Sequence, residues 1–351
     1  MFFRATKILS AALLCSFLNF TVVTQAQTGR AYTREDFINI DGASLQEKTD
    51  RAIAQFRAAG QGDACWMAYH FQARDGVQIG PSSGFFYRDD DGIRLSSRNN
   101  PDGAAIFLLA ETTGNRVSVT RVKTLDISEP YLFENRPVYW LGNADTAQSL
   151  AQLESVMRAD AENKILARNV LRAISSHNSP RVVPLLKETA LRDQTFDIQR
   201  AAISGLARVG TRESLDALDE LFSAIKNVSL RQEVVKAYAS TGARTSEKRV
   251  LERLTVIAKS SDEIAVRLDA VRLIAGFRGD AITDRLIEIY DRVNQEQIRE
   301  EIINRLVRSD DRKASDKLLS IAKDDPNPNL RQKAVRRLSG NRAESISFTS
   351  Q

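Results

Sequence analysis

The 351-residue chain predicts two domains: an N-terminal α+β domain with an antiparallel sheet, then an all-α solenoid of about five and a half 32-residue helix pairs. Three observations carry that prediction. An apolar pattern recurs through residues 151–340 at a step of 32, the pattern changes to short aromatic-rich runs through 27–150, and residues 1–26 have a composition of their own. At 42% hydrophobic and 27% charged, the usage is that of globular proteins, which excludes a disordered tail, a collagen-like fibre and a polytopic membrane protein. Aromatics at 7% argue against a sugar- or base-stacking surface. Two His and two Cys leave little for metal or nucleophile chemistry.

Residues 1–26 form an address. Arg4 and Lys7 precede an apolar run, Ile8 to Val23, followed by Thr24-Gln25-Ala26 and Gln27. A basic stretch, an apolar core and small residues at −3 and −1 spell a secretory signal peptide cut after Ala26. The run, interrupted by Asn19, is shorter than the roughly 20 residues a membrane anchor needs. The expected product is therefore exported, periplasmic or extracellular, with no stable membrane insertion. Loss of Arg4, Lys7 and Cys15 leaves 48 Lys and Arg against 45 Asp and Glu, a net charge of +3, and a lone Cys65 that has no intramolecular disulfide partner. So mild an excess does not suit nucleic acid.

The repeat aligns on Leu166, Ile198, Leu230, Val266, Ile298 and Leu330, with steps of 32, 32, 36, 32 and 32. Four residues on stand Val170, Ala202, Val234, Ala270, Ile302 and Ala334, and the fifth and eighth places after each anchor are apolar in every unit too. These places share one face of a 3.6-period helix. At the chain's apolar rate, chance gives such a pattern with odds of ~10⁻⁹. Leu186, Leu218, Leu254, Leu286 and Leu318 mark a second helix in each unit, and Gly210 and Gly242 stand where a helix end favours positive φ. One pair cannot bury its own apolar face, so the pairs must stack.

The segments Ile198-Gln199-Arg200-Ala201-Ala202-Ile203-Ser204-Gly205-Leu206 and Val266-Arg267-Leu268-Asp269-Ala270-Val271-Arg272-Leu273-Ile274 resemble the first helix of a HEAT-like, armadillo-type repeat. The resemblance covers about 158–340. It implies a protein-binding scaffold with an extended surface, and one branch of such proteins comprises lyases that attach bilin pigments. The sixth unit ends its first helix at Ser339-Gly340, and 341–351 reads as a polar tail behind a cap. Two charged columns accompany the repeat. Arg231, Arg267, Arg299 and Arg331 directly follow their anchors. Arg253, Arg285 and Lys317 precede the second-helix leucines, with Asp216, Glu252, Asp284 and Asp316 beside them. Arg253, Arg285 and Lys317 are the candidate protein-binding residues, on an inner surface that the resemblance assigns to the second helices. The competing reading is a ladder of ion pairs between neighbouring repeats, each exposed pair worth only ~0.5 kcal/mol.

Through 27–150 the expected elements are a helix from Ser44 to Ala59, with Ser44 and Glu47 as a capping box, and a strand over 65–72. Two hairpins follow, around Asp89-Asp90-Asp91-Gly92 and Thr112-Thr113-Gly114-Asn115. Tyr131 to Phe133 and Pro137 to Leu141 read as edge strands, and Asp145 caps a helix to about Met157. Chemistry is thin. Gly80-Pro81-Ser82-Ser83-Gly84 spells a nucleophile elbow but leads into a strand where that motif needs a helix. The Asp run lacks the alternating oxygens of a calcium loop. Cys65 and His70 fall on opposite sides of one strand, and His177 has no His or Cys near it in sequence. No catalytic, cofactor-binding or metal-ligating residue is assigned, and no cofactor is expected. The leading expectation is an exported, non-catalytic interaction or scaffold protein with a protein partner. Behind it stand a self-associating envelope protein and a bilin-lyase-like or hydrolytic enzyme at the domain junction.

Overall fold

The computed structural model of the protein describes residues 30–77, 79, 87–89, 92–94, 101–192, 195–242, 245–278 and 281–347. The expected signal peptide, the 80–84 motif, Asp90, Asp91 and the turn residues Ala243 and Arg244 lie outside them.

The N-terminal part opens with β1 (Ala31–Tyr32), β2 (Ile38–Asn39) and α1 (Leu45–Ala59), followed by β3 (Ala64–His70) and the small hairpin β4 (Tyr87–Asp89) and β5 (Gly92–Arg94). The long strands β6 (Ala104–Thr113) and β7 (Arg116–Asp126) come next, then β8 (Tyr131–Leu132) and β9 (Val138–Asn143). Five strands make one sheet in the order β2-β9-β3-β6-β7. It is mixed, not purely antiparallel: β9 runs parallel to both β2 and β3, while β3, β6 and β7 alternate. The reason is α1, a crossover that returns the chain to lay β3 parallel to β2 with room for β9 between them. So 137–141 is an interior strand, and of the two segments expected as edge strands Tyr131–Leu132 alone lies outside the five-stranded sheet, paired with β1. Ser44 caps α1 by accepting from Glu47 N at 3.2 Å, but Glu47 reaches back to Ala43 N at 2.8 Å, one residue before the expected reciprocal bond.

Both sheet faces are buried. Ala64, Trp66, Ala68, Phe107, Leu109 and Val138 form one cluster around Phe133, whose ring lies 5.4 Å from Phe107 and 5.8 Å from Trp66. Met67, Tyr69, Ile106, Leu108 and Tyr139 point the other way and join a core that continues without a break into the helices.

Those helices are α2 (Thr146–Ala159), α3 (Lys164–Ile174), α4 (Val182–Leu191), α5 (Phe196–Val209), α6 (Arg212–Ala224), α7 (Val228–Gly242) and α8 (Glu247–Ser260). Then follow α9 (Ile264–Ile274), α10 (Ala281–Arg292), α11 (Glu296–Leu306), α12 (Arg312–Asp324) and α13 (Pro328–Ser347). The odd-numbered helices α3 to α13 carry the anchors, and all six anchors are buried along with their fourth-place partners. Each second helix packs more closely on the anchor helix that follows it than on the one before, as in α4 on α5, α8 on α9 and α12 on α13. The packed units are thus helix pairs in that phase, with α2 serving α3 in the same way. Gly205 shows how close the approach is. A Cβ there would lie 3.0 Å from Leu186 Cδ2 of α4. Gly210 closes α5 at φ +64°, as the expected cap requires.

The helix expected from Asp145 to about Met157 is α2, whose Leu150, Leu153 and Val156 belong to the common core, so no linker separates sheet and array. At the other end α13 runs on through Ser339 and Gly340 to Ser347, where the helix was expected to give way to a polar tail. A single Gly weakens a helix by about 1 kcal/mol without ending it.

Polar bonds lock the sheet to the first helices. Ser149 Oγ of α2 lies 3.2 Å from Tyr69 Oη and 2.7 Å from His177 Nε2, and His177 Nδ1 lies 2.9 Å from Ala173 O. The imidazole is sealed, with its ring 4.3 Å from Phe71. Burial lowers its pKa to about 4. Arg74, in the segment after β3, donates from Nε to Ser175 O at 3.0 Å and also hydrogen-bonds Arg208 O, which binds it to the C-terminal ends of α3 and α5.

Two outcomes follow. Ala270→Asp places an unpaired charge at a fully buried helix contact and should cost several kcal/mol, so that thermal melting shows loss of the array; a wild-type melting curve would contradict the register. An unfolded imidazole takes its proton near pH 6.5 and the buried one only near 4, so the stability His177 contributes is present above 6.5 and lost as the pH falls toward 4. The melting-temperature gap between the wild type and His177→Gln should therefore narrow across that window, and a gap that does not change with pH would remove the buried-neutral assignment.

Candidate protein-binding face

The second-helix column turns inward on the array itself. Arg253 Nε of α8 lies 2.9 Å from Asp219 Oδ1 of α6, an ion pair whose N–H is not aimed squarely at the oxygen, and the guanidinium covers the Phe222 ring at 5.6 Å. Arg285 of α10 reaches Thr255 Oγ1 of α8 at 3.4 Å. Lys317 of α12 pairs with Asp291 of α10 and lies over Tyr290. All three expected binding residues thus reach back by one repeat. Arg249 to Asp216 at 2.6 Å, Lys187 to Glu220 at 2.7 Å and Lys313 to Asp284 at 2.8 Å extend the same ladder. Lys259 hydrogen-bonds Glu288 and so holds that carboxyl below its ordinary range.

The column after the anchors does a different job. Arg267 Nε donates to Ala258 O at 2.8 Å, Arg299 Nε to Val293 O at 2.7 Å, and Arg331 Nη1 to Asp325 O at 2.7 Å. Gln199 makes the equivalent bond to Ala190 O at 3.0 Å. Each closes the carbonyl end of the second helix packed beside it, where a donor meets otherwise unpartnered oxygens and a cation meets the negative end of the helix dipole. Arg231 departs from the set and pairs with Glu263 at 2.6 Å while lying 4.3 Å over Phe222.

The outward face of the anchor helices is left for other uses. Consecutive anchor helices pack against one another at every step, whereas the second helices touch less and α6 barely meets α8. The inside of the bend is therefore the anchor row, not the second-helix row that the resemblance assigns to it. Two adjoining depressions of about 290 and 300 Å³ lie on it, spanning α3, α5 and α7. The first is lined by Arg168, Arg172, Arg200 and Arg208 together with Asp197 and Glu233. Asp197 is held by Arg200 at 3.3 Å and Lys164 at 3.9 Å, Glu233 by Lys236 at 2.8 Å, and Arg208 donates to Ser175 Oγ at 3.1 Å. Among the described residues, Arg168 and Arg172 have no ion-pair partner. Sequence reasoning passed over these four arginines because none stands in a column repeated in every unit. The available signal was their place two, six or ten residues past an anchor, on the helix side opposite the buried stripe.

The groups with reactive chemistry are placed otherwise. Cys65 is fully buried and desolvation lifts its thiol to about 12, far from a working thiolate. It belongs to the core-facing side of β3, and His70, on the other side, meets Asp102 O at 3.0 Å. Ser149 and His177 have the separation of a nucleophile and its base, but at 0% and 1% exposure neither can meet a substrate while the junction is closed. Asp89 pairs with Gly92 in the β4–β5 hairpin. Among the described residues no group of three or more His, Cys, Asp or Glu could hold a metal ion, and no helix is long and apolar enough to cross a membrane.

If the second-helix ladder is structural, Arg253→Glu, Arg285→Glu and Lys317→Glu together set like charges against Asp219 and Asp291 and should lower unfolding stability by roughly 1–3 kcal/mol in urea titration. An unchanged midpoint would mean that the ladder carries no stability.

Comparison with known proteins bears on the array. Residues 251–339 match the model for HEAT repeats. The stretch opens within α8 and ends within α13, three helix pairs in the phase that the packing shows. No curated protein matches the chain. Among solved structures, human deoxyhypusine hydroxylase in complex with glycerol is 16% identical over 54% of this chain and 72% of its own, at a TM-score of 0.24. A de novo designed 16-helix transmembrane nanopore is 14% identical over 57% and 64%, at a TM-score of 0.12. The C-terminal array carries HEAT-like repeats, matched directly over 251–339 and continued toward α3 by the same apolar pattern, with one step of 36 among those of 32.

Proposed function

We propose that the protein is an exported, non-catalytic scaffold that docks a protein partner on the outward face of its anchor helices. HEAT repeats are in general protein-interaction modules without catalysis of their own, and that general role is the starting point. The observation that carries the reading is the difference between the two helix rows. Arg253 and Lys317 of the second row are engaged within the array, while, among the described residues, Arg168 and Arg172 on the anchor row line the depression without carboxylate partners. A charge left without a partner at a concave surface is available to a ligand at little desolvation cost, whereas a laddered one must first break its pair. The basic, apolar and small residues of segment 1–26 support export, and the mature form would begin at Gln27.

The test is site-directed photo-cross-linking in native exported extract, with the probe at Ser204 or Ser240 on the anchor row and at Ser223 on the second row. The chain is used whole, because either half would lay open the core shared by β3 and α3. A reproducible partner cross-linked from the anchor row alone supports the reading. Equal cross-linking from both rows, or from Ser223 alone, overturns it. Intact mass of the exported protein should start at Gln27.

A further inference from the structure

Along the same face runs a second feature. Ile165, Phe196, Val228 and Ile264 stand at or beside the first residue of α3, α5, α7 and α9, and are between 38% and 64% exposed. Single exposed apolar residues need no explanation, but Phe196, Val228 and Ile264 each stand two places before an anchor and Ile165 one place before the first, so that four successive repeats form a row. The row stops after α9, since α11 begins with the charged Glu296 and α13 with Pro328. It therefore spans the end of the array that carries Arg168, Arg172, Arg200 and Arg208. Arg200 links the two features, with its guanidinium 6.0 Å over the Phe196 ring.

We infer that this face seats an extended acidic segment of a partner protein, lying across the anchor helices with one apolar residue for each repeat and carboxylates between them. This rests on the docking face proposed above and names its ligand class. Spacing supplies the reason for the segment's form. Packed helices stand roughly 8–10 Å apart, and a polyproline II chain rises about 3.1 Å per residue with three residues per turn. One turn thus advances about one repeat and returns the same side of the segment to the face. A β-strand, with its period of two, would turn alternate apolar residues away. Every third residue meets the row of Ile165, Phe196, Val228 and Ile264, and the residues between reach toward the arginines. Carboxylates suit those arginines because a guanidinium fork donates to both oxygens of one group, and among the described residues Arg168 and Arg172 have no such partner.

Fluorescence anisotropy with the full chain tests this, using a labelled peptide of about 15 residues that repeats Leu-Glu-Pro, enough to cross about five helices. The controls are a repeating Leu-Lys-Pro peptide, a peptide of the same composition with its leucines out of phase, and single-stranded DNA of similar length. The Leu-Glu-Pro peptide should bind, and more weakly as salt rises. Arg168→Glu with Arg172→Glu should weaken it by about tenfold or more, as should Phe196→Ala with Val228→Ala, while Arg168→Lys with Arg172→Lys keeps part of the affinity. Because the two arginines are on the surface, thermal melting of the Arg168→Glu/Arg172→Glu variant should match the wild type and separate lost binding from lost fold. Equal binding of the out-of-phase peptide, the lysine peptide or DNA overturns the inference, as does indifference to charge reversal. If cross-links still fall on the anchor row in that event, the docking face stands and only the acidic segment is removed.

Discussion

A helix pair in this array buries its apolar stripe only against its neighbours, so a stack of pairs has two bare ends and each must be closed by something else. That constraint organises the whole molecule. At the N-terminal end the closing element is the β-sheet, whose Met67, Tyr69, Ile106 and Leu108 continue the core of α2 and α3. Because the contact is apolar and continuous, its few polar atoms must be satisfied within it, and Tyr69, Ser149 and His177 satisfy one another. The same requirement makes a Ser–His contact structural. The geometry of a catalytic pair and that of a sealed hydrogen-bond chain are alike at 2.7 Å, and burial decides between them.

Within the stack, charge is apportioned by position. The residue after each anchor sits beside the carbonyl end of the neighbouring second helix, so Arg267, Arg299 and Arg331 serve as caps and are half-withdrawn from solvent or fully so. Arg249, Arg253 and Lys317 of the second helices meet carboxylates of the preceding unit, and their charges are spent on alignment between repeats. The docking proposed above uses the anchor-helix face. Its composition drifts along the array, with guanidinium groups gathered near α3 and α5 and with Glu300 and Glu301 paired to Lys333, Arg272 and Arg305 toward α11 and α13. Uniform positions build the stack, and the non-uniform ones differentiate its surface.

How far each feature was legible follows from its range. The helices of the array could be read because their signal is local and repeated: Leu166, Val170 and Ile174 define one stripe, and five further copies repeat it. In the sheet domain β3, β6 and β7 were legible for the same reason, through a hairpin closed at Gly114 and Asn115. The interior place of Val138–Asn143 was not legible, since pairing with β2 and β3 joins residues about a hundred and about seventy apart and leaves no local mark. The function of Arg253 and Lys317 was also undecided in sequence, because a binding stripe and an inter-repeat ladder use the same residues at the same spacing and differ only in what stands opposite them.

The sequence by itself determined the repeat, its register, the buried stripe and the passage from strands to helices at Asp145, because each depends on a pattern along a single segment. Tertiary structure alone decided which helix row lies inside the bend, that sheet and array share one core across α2, and which cations keep a free charge. Those outcomes depend on distances between segments far apart in the chain. Packing sets such distances, and the order of residues within any one helix carries no record of them.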